Sequence, residues 1–247
     1  MGALHPQAQA ALLDALLTTI GAGSSQERKR IMKSLPFEFV FTRKDAPNSM
    51  LRRPAKLIAI TGGPGSGKSS IVQALKSRGM TTVPEAAIQI INDLNEELGV
   101  DGQKEWRRSH KDEFQLRVTT KQASLEASAM KTSTKGLAFC DRGLLDGLGY
   151  CRHFKQAVPA DVAAIAEKAR YDQVFLLETL PEEVFAARGQ DGRTSGRQDS
   201  LAISRCIEEA YQEHGHTPVH VPVMPLEQRV AWVLEQIQQA GATAVLI

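Results

Sequence analysis

The chain has 247 residues, of which 42% are apolar and 23% charged, and its net charge is +2. That apolar content can bury a full core, which excludes a disordered protein, and the near balance of charge makes no case for a dedicated nucleic-acid binder with a clustered basic face. Cys140, Cys151 and Cys206 form no Cys-x-x-Cys pair, there is no apolar run near the ~20 residues of a membrane span, and the first residues lack the pattern of a secretion signal. A soluble, cytoplasmic protein is expected.

Residues 1–53 read as an extension, with eight Lys and Arg against four Asp and Glu. Leu12, Leu13, Leu16, Leu17 and Ile20 recur at helical spacing before Gly21 and Gly23. Ser24 and Glu27 have capping-box spacing ahead of a second short helix, and the alternation of Phe37, Phe39 and Phe41 suits a strand over 37–42. The DAPNS segment and Arg52-Arg53-Pro54 link this extension to a main domain over 54–247.

From Lys56 the pattern alternates strand and helix, the mark of a parallel sheet covered on both faces. Strands are expected at 57–61 (LIAIT), 80–83 (MTTV), 136–141 (GLAFCD) and 173–178 (QVFLLE), and TPVHVP follows a helix over 201–214. Helices are expected from Gly67 to about Arg78, from Pro84 to about Leu98, across a long region of roughly 103–133, and at EQRVAWVLEQIQQ. There Leu226, Val230, Val233, Leu234 and Ile237 form a core-facing stripe. PEEVFAAR opens as a helix and gives way to GQDGRTSGR, which is too polar and glycine-rich to be core.

Residues 60–72, ITGGPGSGKSSIV, fit Gly-x-x-x-x-Gly-Lys-[Ser/Thr] with a strand before and a helix after. In Gly62, Gly63, Pro64, Gly65, Ser66 and Gly67 the glycines let the backbone turn N–H groups toward an anion, and the helix that continues through Lys68, Ser69 and Ser70 adds its N-terminal partial charge. Lys68 should reach the β- and γ-phosphates, and the Ser69 hydroxyl should ligate Mg²⁺. Asp141 ends a buried strand, where a carboxylate can order the metal or cap the next helix. Arg142 can hold an anionic acceptor or pair locally. Glu85, just after the second strand, can take a proton from an acceptor hydroxyl or face the dipole of its helix. Arg193 and Arg197, with Arg188 upstream, suit a lid that closes over transferring phosphate. The basic run WRRSHK (106–111) reads as a solvated helix face, and the histidines show no zinc-ligand spacing.

Taken in order, ITGGPGSGKSS, VPEAA (83–87), DRGLLDGLGY (141–150), YDQVFLLE (171–178), the Arg-bearing segment, AYQEHG (210–215) and VPVMPLEQRVAWVL resemble the AAA_28-type ATP-binding proteins over about residues 55–241. These are P-loop NTPases of the nucleoside and nucleotide kinase branch, similar in outline to thymidylate kinases, deoxynucleoside kinases and the nicotinamide riboside kinase domain. The resemblance implies an α/β fold, a doubly wound parallel sheet of about five strands with a lid, binding ATP (or GTP) with Mg²⁺. It implies Glu85 as base and Asp141-Arg142 as the pair near metal and acceptor. The family pattern carries an Arg where this chain has Ile88, which removes an expected acceptor contact. The function expected is transfer of the γ-phosphate to a small-molecule acceptor, without a membrane or dedicated nucleic-acid partner. The alternative is a nucleotide-dependent switch with slow hydrolysis, in which the N-terminal extension meets a protein partner.

Overall fold

The structure, a computed structural model, describes residues 55–187 and 196–241. The helices and strand expected before residue 54 lie outside the described residues, as do Arg188, Arg193 and most of the glycine-rich segment after them. Thirteen elements follow in order: β1 (Lys56–Thr61), α1 (Lys68–Ser77), β2 (Thr81–Val83), α2 (Ala86–Ser109), α3 (Lys111–Thr132), β3 (Leu137–Asp141), α4 (Asp146–His153), α5 (Ala160–Ala166), β4 (Gln173–Leu177), α6 (Glu182–Ala187), α7 (Arg197–Glu213), β5 (Val219–Val221) and α8 (Leu226–Gln239).

The five strands form one sheet in the order β2-β3-β1-β4-β5, parallel throughout, with Ile58 level with Phe139 on one side and Gln173 on the other. β1 and β3 are apolar along nearly their whole length because both faces of the sheet are covered. Leu57, Ala59, Ala138, Cys140, Val174 and Leu176 point to one face, where Ile203, Ile207 and Tyr211 of α7 and Ala129 of α3 cover them. Ile58, Ile60, Phe139, Phe175 and Leu177 point to the other, against Ile71 and Leu75 of α1 and Val230, Val233 and Ile237 of α8. Each fully buried Val, Leu, Ile or Phe among these contributes roughly 1.5–3 kcal/mol. Of the stripe expected on α8, Val230, Val233 and Ile237 are buried, whereas Leu226 is 41% exposed at the helix start.

Two helix boundaries differ from the expectation. The region 103–133 is not one helix, since it breaks at His110, and α2 runs past Leu98 with a turn inside it at Gly99 (φ 74, ψ 170). That backbone region is open essentially to glycine alone, so Gly99 redirects the chain and the second part of α2 takes a new course.

β1 leads through α1 to β2 on its left, whereas the chain leaves β3 for β4 on the right of β1, so the two connections part at the carboxyl ends of adjacent strands. A crevice opens at such a switch point, and the chain places the glycine loop and Asp141-Arg142 on its two sides. No described helix is long and apolar enough to cross a membrane.

Candidate active site

The glycine loop joins β1 to α1. Gly67, at the cap of α1, has φ 94, which the next turn of backbone requires and a side chain would strain. A Cβ on Gly63 would run into the Ser200 backbone carbonyl, so α7 can press on the loop only because residue 63 lacks one. The loop's carbonyls are tied down from outside: Ser200 Oγ donates to Pro64 O at 2.7 Å and Arg229 Nη1 to Ser66 O at 2.7 Å. Arg229 is buried and also holds Pro222 O and Glu178 O, clamping the loop to the ends of β4 and β5. Loop carbonyls engaged by protein donors favour the backbone orientation in which N–H groups serve an anion.

Lys68, 3% exposed, donates from Nζ to Gly63 O at 2.8 Å and to Ser66 Oγ at 3.4 Å. Burial, with the nearby Arg142 charge, pushes its ammonium down to about 7, although Asp141, Glu85 and Asp146 pull the other way. Ser69, the next residue, is exposed, and Ser70 is half-buried.

Asp141 at the end of β3 is buried, and its Oδ1 meets no hydrogen-bond donor. Burial and the Glu85 charge raise its carboxyl above the ordinary range, while Lys68, the Ser69 hydroxyl and Arg142 pull it back. An orphaned, buried carboxylate oxygen near the Ser69 hydroxyl is chemistry that fits a hard divalent cation.

Arg142 takes a left-handed backbone (φ 72), a strain of roughly 1–2 kcal/mol for a residue other than glycine. Its N–H donates to Ile60 O at 3.0 Å and its carbonyl accepts from Gln122 Nε2 at 3.1 Å. The guanidinium reaches Glu85 Oε1 through Nε at 3.0 Å and, through Nη1, Asp146 Oδ1 at 3.0 Å and Gly62 O at 3.4 Å. It lies 5.4 Å from the Tyr150 ring centre. Of the two alternatives in the sequence, the structure shows the local pairing: Asp146 is the i+4 neighbour, and Glu85 comes from just after the second strand.

Sequence reasoning missed the carboxylates and phenols behind this layer. Asp146 accepts from Thr61 Oγ1 at 2.7 Å, Tyr211 OH at 2.9 Å and Gly143 N–H at 3.0 Å. Tyr171 OH donates to Glu126 Oε1 at 2.7 Å and accepts from Leu144 N–H at 2.6 Å, while Gln122 Nε2 also bonds Glu126 at 2.9 Å. Gln122 and Tyr171 thus hold the backbone on both sides of Gly143, which fixes the strained Arg142. Burial raises the Glu126 carboxyl to about 7. A signal existed in Thr119, Gln122, Glu126 and Ala129, which are spaced as one helix face and are buried, but three of the four are polar.

Arg142, Glu85 and Asp146 stand on the wall of a cavity of about 320 Å³ whose remaining lining is largely apolar and comes from α2, α3 and α4. Arg107, expected on a solvated face with WRRSHK, lines this cavity, whereas Arg108 beside it is exposed as expected. Ile88 is 43% exposed. Arg197, expected in the lid, opens α7: its Nε donates to Leu180 O at 2.9 Å and lies 3.9 Å from Glu182.

The AAA_28 family model, an AAA domain, matches residues 57–229. No curated protein matches the chain. Among solved structures, deoxyadenosine kinase from M. mycoides with products dCMP and a flexible dCDP bound is 16% identical, with TM-score 0.51 over 74% of this chain and 99% of its own. The NadR protein in complex with NR is 14% identical, with TM-score 0.57 over 79% of this chain and 52% of its own. Thymidylate kinase from Candida albicans is 16% identical, with TM-score 0.52 over 76% of this chain and 93% of its own. At these identities the likeness establishes the α/β fold of P-loop kinases.

Proposed function

The chain belongs to the AAA_28 family, and from that premise we propose that it is a phosphotransferase that moves the γ-phosphate of ATP, or GTP, to a small-molecule acceptor. One observation carries the reading. Arg142 contacts the Gly62 carbonyl of the glycine loop and Glu85 on the cavity wall, so the loop and a concave pocket beside it share one side chain. A hydrolase acting on water has no use for such a pocket.

In this reading the backbone from Gly62 to Gly67, with Lys68, cradles the phosphates, and Ser69 and Asp141 hold Mg²⁺. Bound there, Mg²⁺ supplies positive charge to the phosphate oxygens. Ser70 adds to the loop's helical end. Glu85 takes the proton of the acceptor hydroxyl, and Arg142 orients Glu85 and the acceptor. The leaving nucleotide's charge is met by Lys68, by Arg193 between α6 and α7, and by Arg197 at the start of α7. The kinases among the structural neighbours support the reaction class, and the acceptor-side pair supports transfer over hydrolysis.

The test is nucleotide turnover by the purified protein with Mg²⁺, alone and with a fractionated pool of small metabolites, with Lys68→Ala as the blank. Turnover that appears with one fraction supports transfer and leads to the acceptor. Turnover indifferent to every fraction would sink it and favour the regulatory switch.

A further inference from the structure

The arginines around the cavity are not equivalent. Arg142 faces Glu85 and Asp146, Arg108 pairs with Glu105 at 2.6 Å, and Arg117 pairs with Glu113 at 2.6 Å. Arg107 has no carboxylate partner among the described residues. Its Nε donates to the neutral Oε1 of buried Gln103 at 2.7 Å, and its guanidinium carbon lies 5.5 Å from the centre of the Phe114 ring. Those contacts fix the direction of the side chain and leave its charge uncompensated. The half-buried group remains a cation, because guanidinium does not give up its proton in proteins.

Arg107 reaches the cavity through the Gly99 turn, which lets the second part of α2 line the same wall as Ala87 and Ile91 from the first. Phe114, Val118, Tyr150 and Phe154 line the cavity beside it, with the polar Gln115, Thr119 and Gln122 among them. A partly desolvated cation in a largely apolar pocket recovers its lost solvation when an anion binds it. With Nε committed to Gln103, the two Nη groups present the edge that suits a carboxylate or phosphate. An anion at Glu85 would meet a like charge.

We propose that this cavity holds a subsite for an anionic substituent, a carboxylate or phosphate on an apolar or aromatic frame, with Arg107 as its ligand. The assignment rests on the phosphotransfer reading only in naming the cavity's occupant as the acceptor; the binding itself needs no turnover. The acceptor would then be a hydroxyl compound that carries its own negative group away from the Glu85-Arg142 pair.

The experiment uses the full chain saturated with Mg²⁺-ADP, so that the glycine loop does not take up the probe. Benzoate, phenyl phosphate and neutral benzamide are titrated by calorimetry, and the Arg Nε–H resonances are followed by NMR. At least one anion should bind roughly tenfold or more tighter than benzamide and move the resonance that is lost in Arg107→Gln. The tighter of the two anions tells carboxylate from phosphate. In Arg107→Gln the preference should vanish while benzamide binding stays, and Arg107→Lys, which keeps the charge and loses the fork, should retain a weakened preference. Anions that bind no better than benzamide would overturn the proposal, as would a preference unchanged in both variants. Absence of phosphotransfer beside intact anion binding would instead count against the kinase reading alone.

Discussion

Lys68 and Arg142 flank the same crevice, and their charges are kept in opposite ways. The Lys68 ammonium donates to a carbonyl and a hydroxyl, has no carboxylate ion pair among the described residues, and is pushed by burial to about 7. The Arg142 guanidinium is paired with Glu85 and Asp146, and its affinity for its proton is raised well above the usual range despite burial. A group kept without a counter-charge is ready for an anion that arrives, whereas a group already paired serves as a fixed part that aims others. In the proposed phosphotransferase, the difference would separate the nucleotide side of the crevice from the acceptor side.

The largest effect should come from removing the unpaired cation. Lys68→Ala should lower turnover by more than about 10³-fold, because it removes a charge aimed at the transferring group. A smaller loss would move the site's main electrostatic help elsewhere. On the paired side, Glu85→Gln should lower acceptor phosphorylation by about 10²–10⁴-fold while nucleotide affinity, read by calorimetry, changes only a few-fold. Equal damage to nucleotide binding would show that the two sides are not separable.

Glu126 tests the scaffold behind Arg142. Its native carboxyl keeps a proton up to about 7, whereas the unfolded chain releases it near 4.5, so the native state gains relative stability at low pH and loses it as pH rises through that window. Glu126→Gln keeps a carbonyl for Tyr171 and removes the titration. Urea unfolding should therefore show a flatter pH dependence and about 1–3 kcal/mol of added stability at pH 8. A variant whose curve parallels that of the parent would remove Glu126 as the source.

The smallest effect concerns Lys68 itself. Below about 7 its ammonium is charged in the free protein; above that it is neutral, and a bound phosphate should restore the proton. Nucleotide binding at pH 8 should take up about one proton, read from calorimetry in buffers of different ionisation enthalpy, and uptake should fade by pH 6. Affinity then weakens as pH rises. Uptake that is the same at both pH values would mean that the lysine stays charged throughout.

These two sides also differ in how far they could be read from the sequence. The glycine loop was legible because its chemistry is contiguous: strand, turn and helix start lie within Ile60–Val72, and local backbone rules decide the rest. Asp141 and Arg142 were legible as a strand end, and four of the five strands were expected from their own segments. On the other side Glu85 and Arg142 were named from the sequence, but Asp146, Arg107 and the cavity they share were not. Glu85, Arg142, Asp146 and Arg107 meet only after the sheet brings together residues far apart in the chain, and α3 turns a polar stripe inward at Gln122 and Glu126, which a search for apolar periodicity passes over. Arg107 looked solvated because its charge was visible and the turn at Gly99 was not.

That turn has a further consequence. A Cβ built on Gly99 meets nothing within 4 Å, so the point where the wall changes course stands in open space. The glycine loop, by contrast, is wedged against α7 at Gly63 and clamped by Arg229 at Ser66. Residues inserted or deleted at Gly99 would move the Arg107 wall in or out without disturbing the sheet, since loop length costs little free energy. If the proposed function holds, the length of that one turn would set which acceptors fit, while the glycine loop stays where it is.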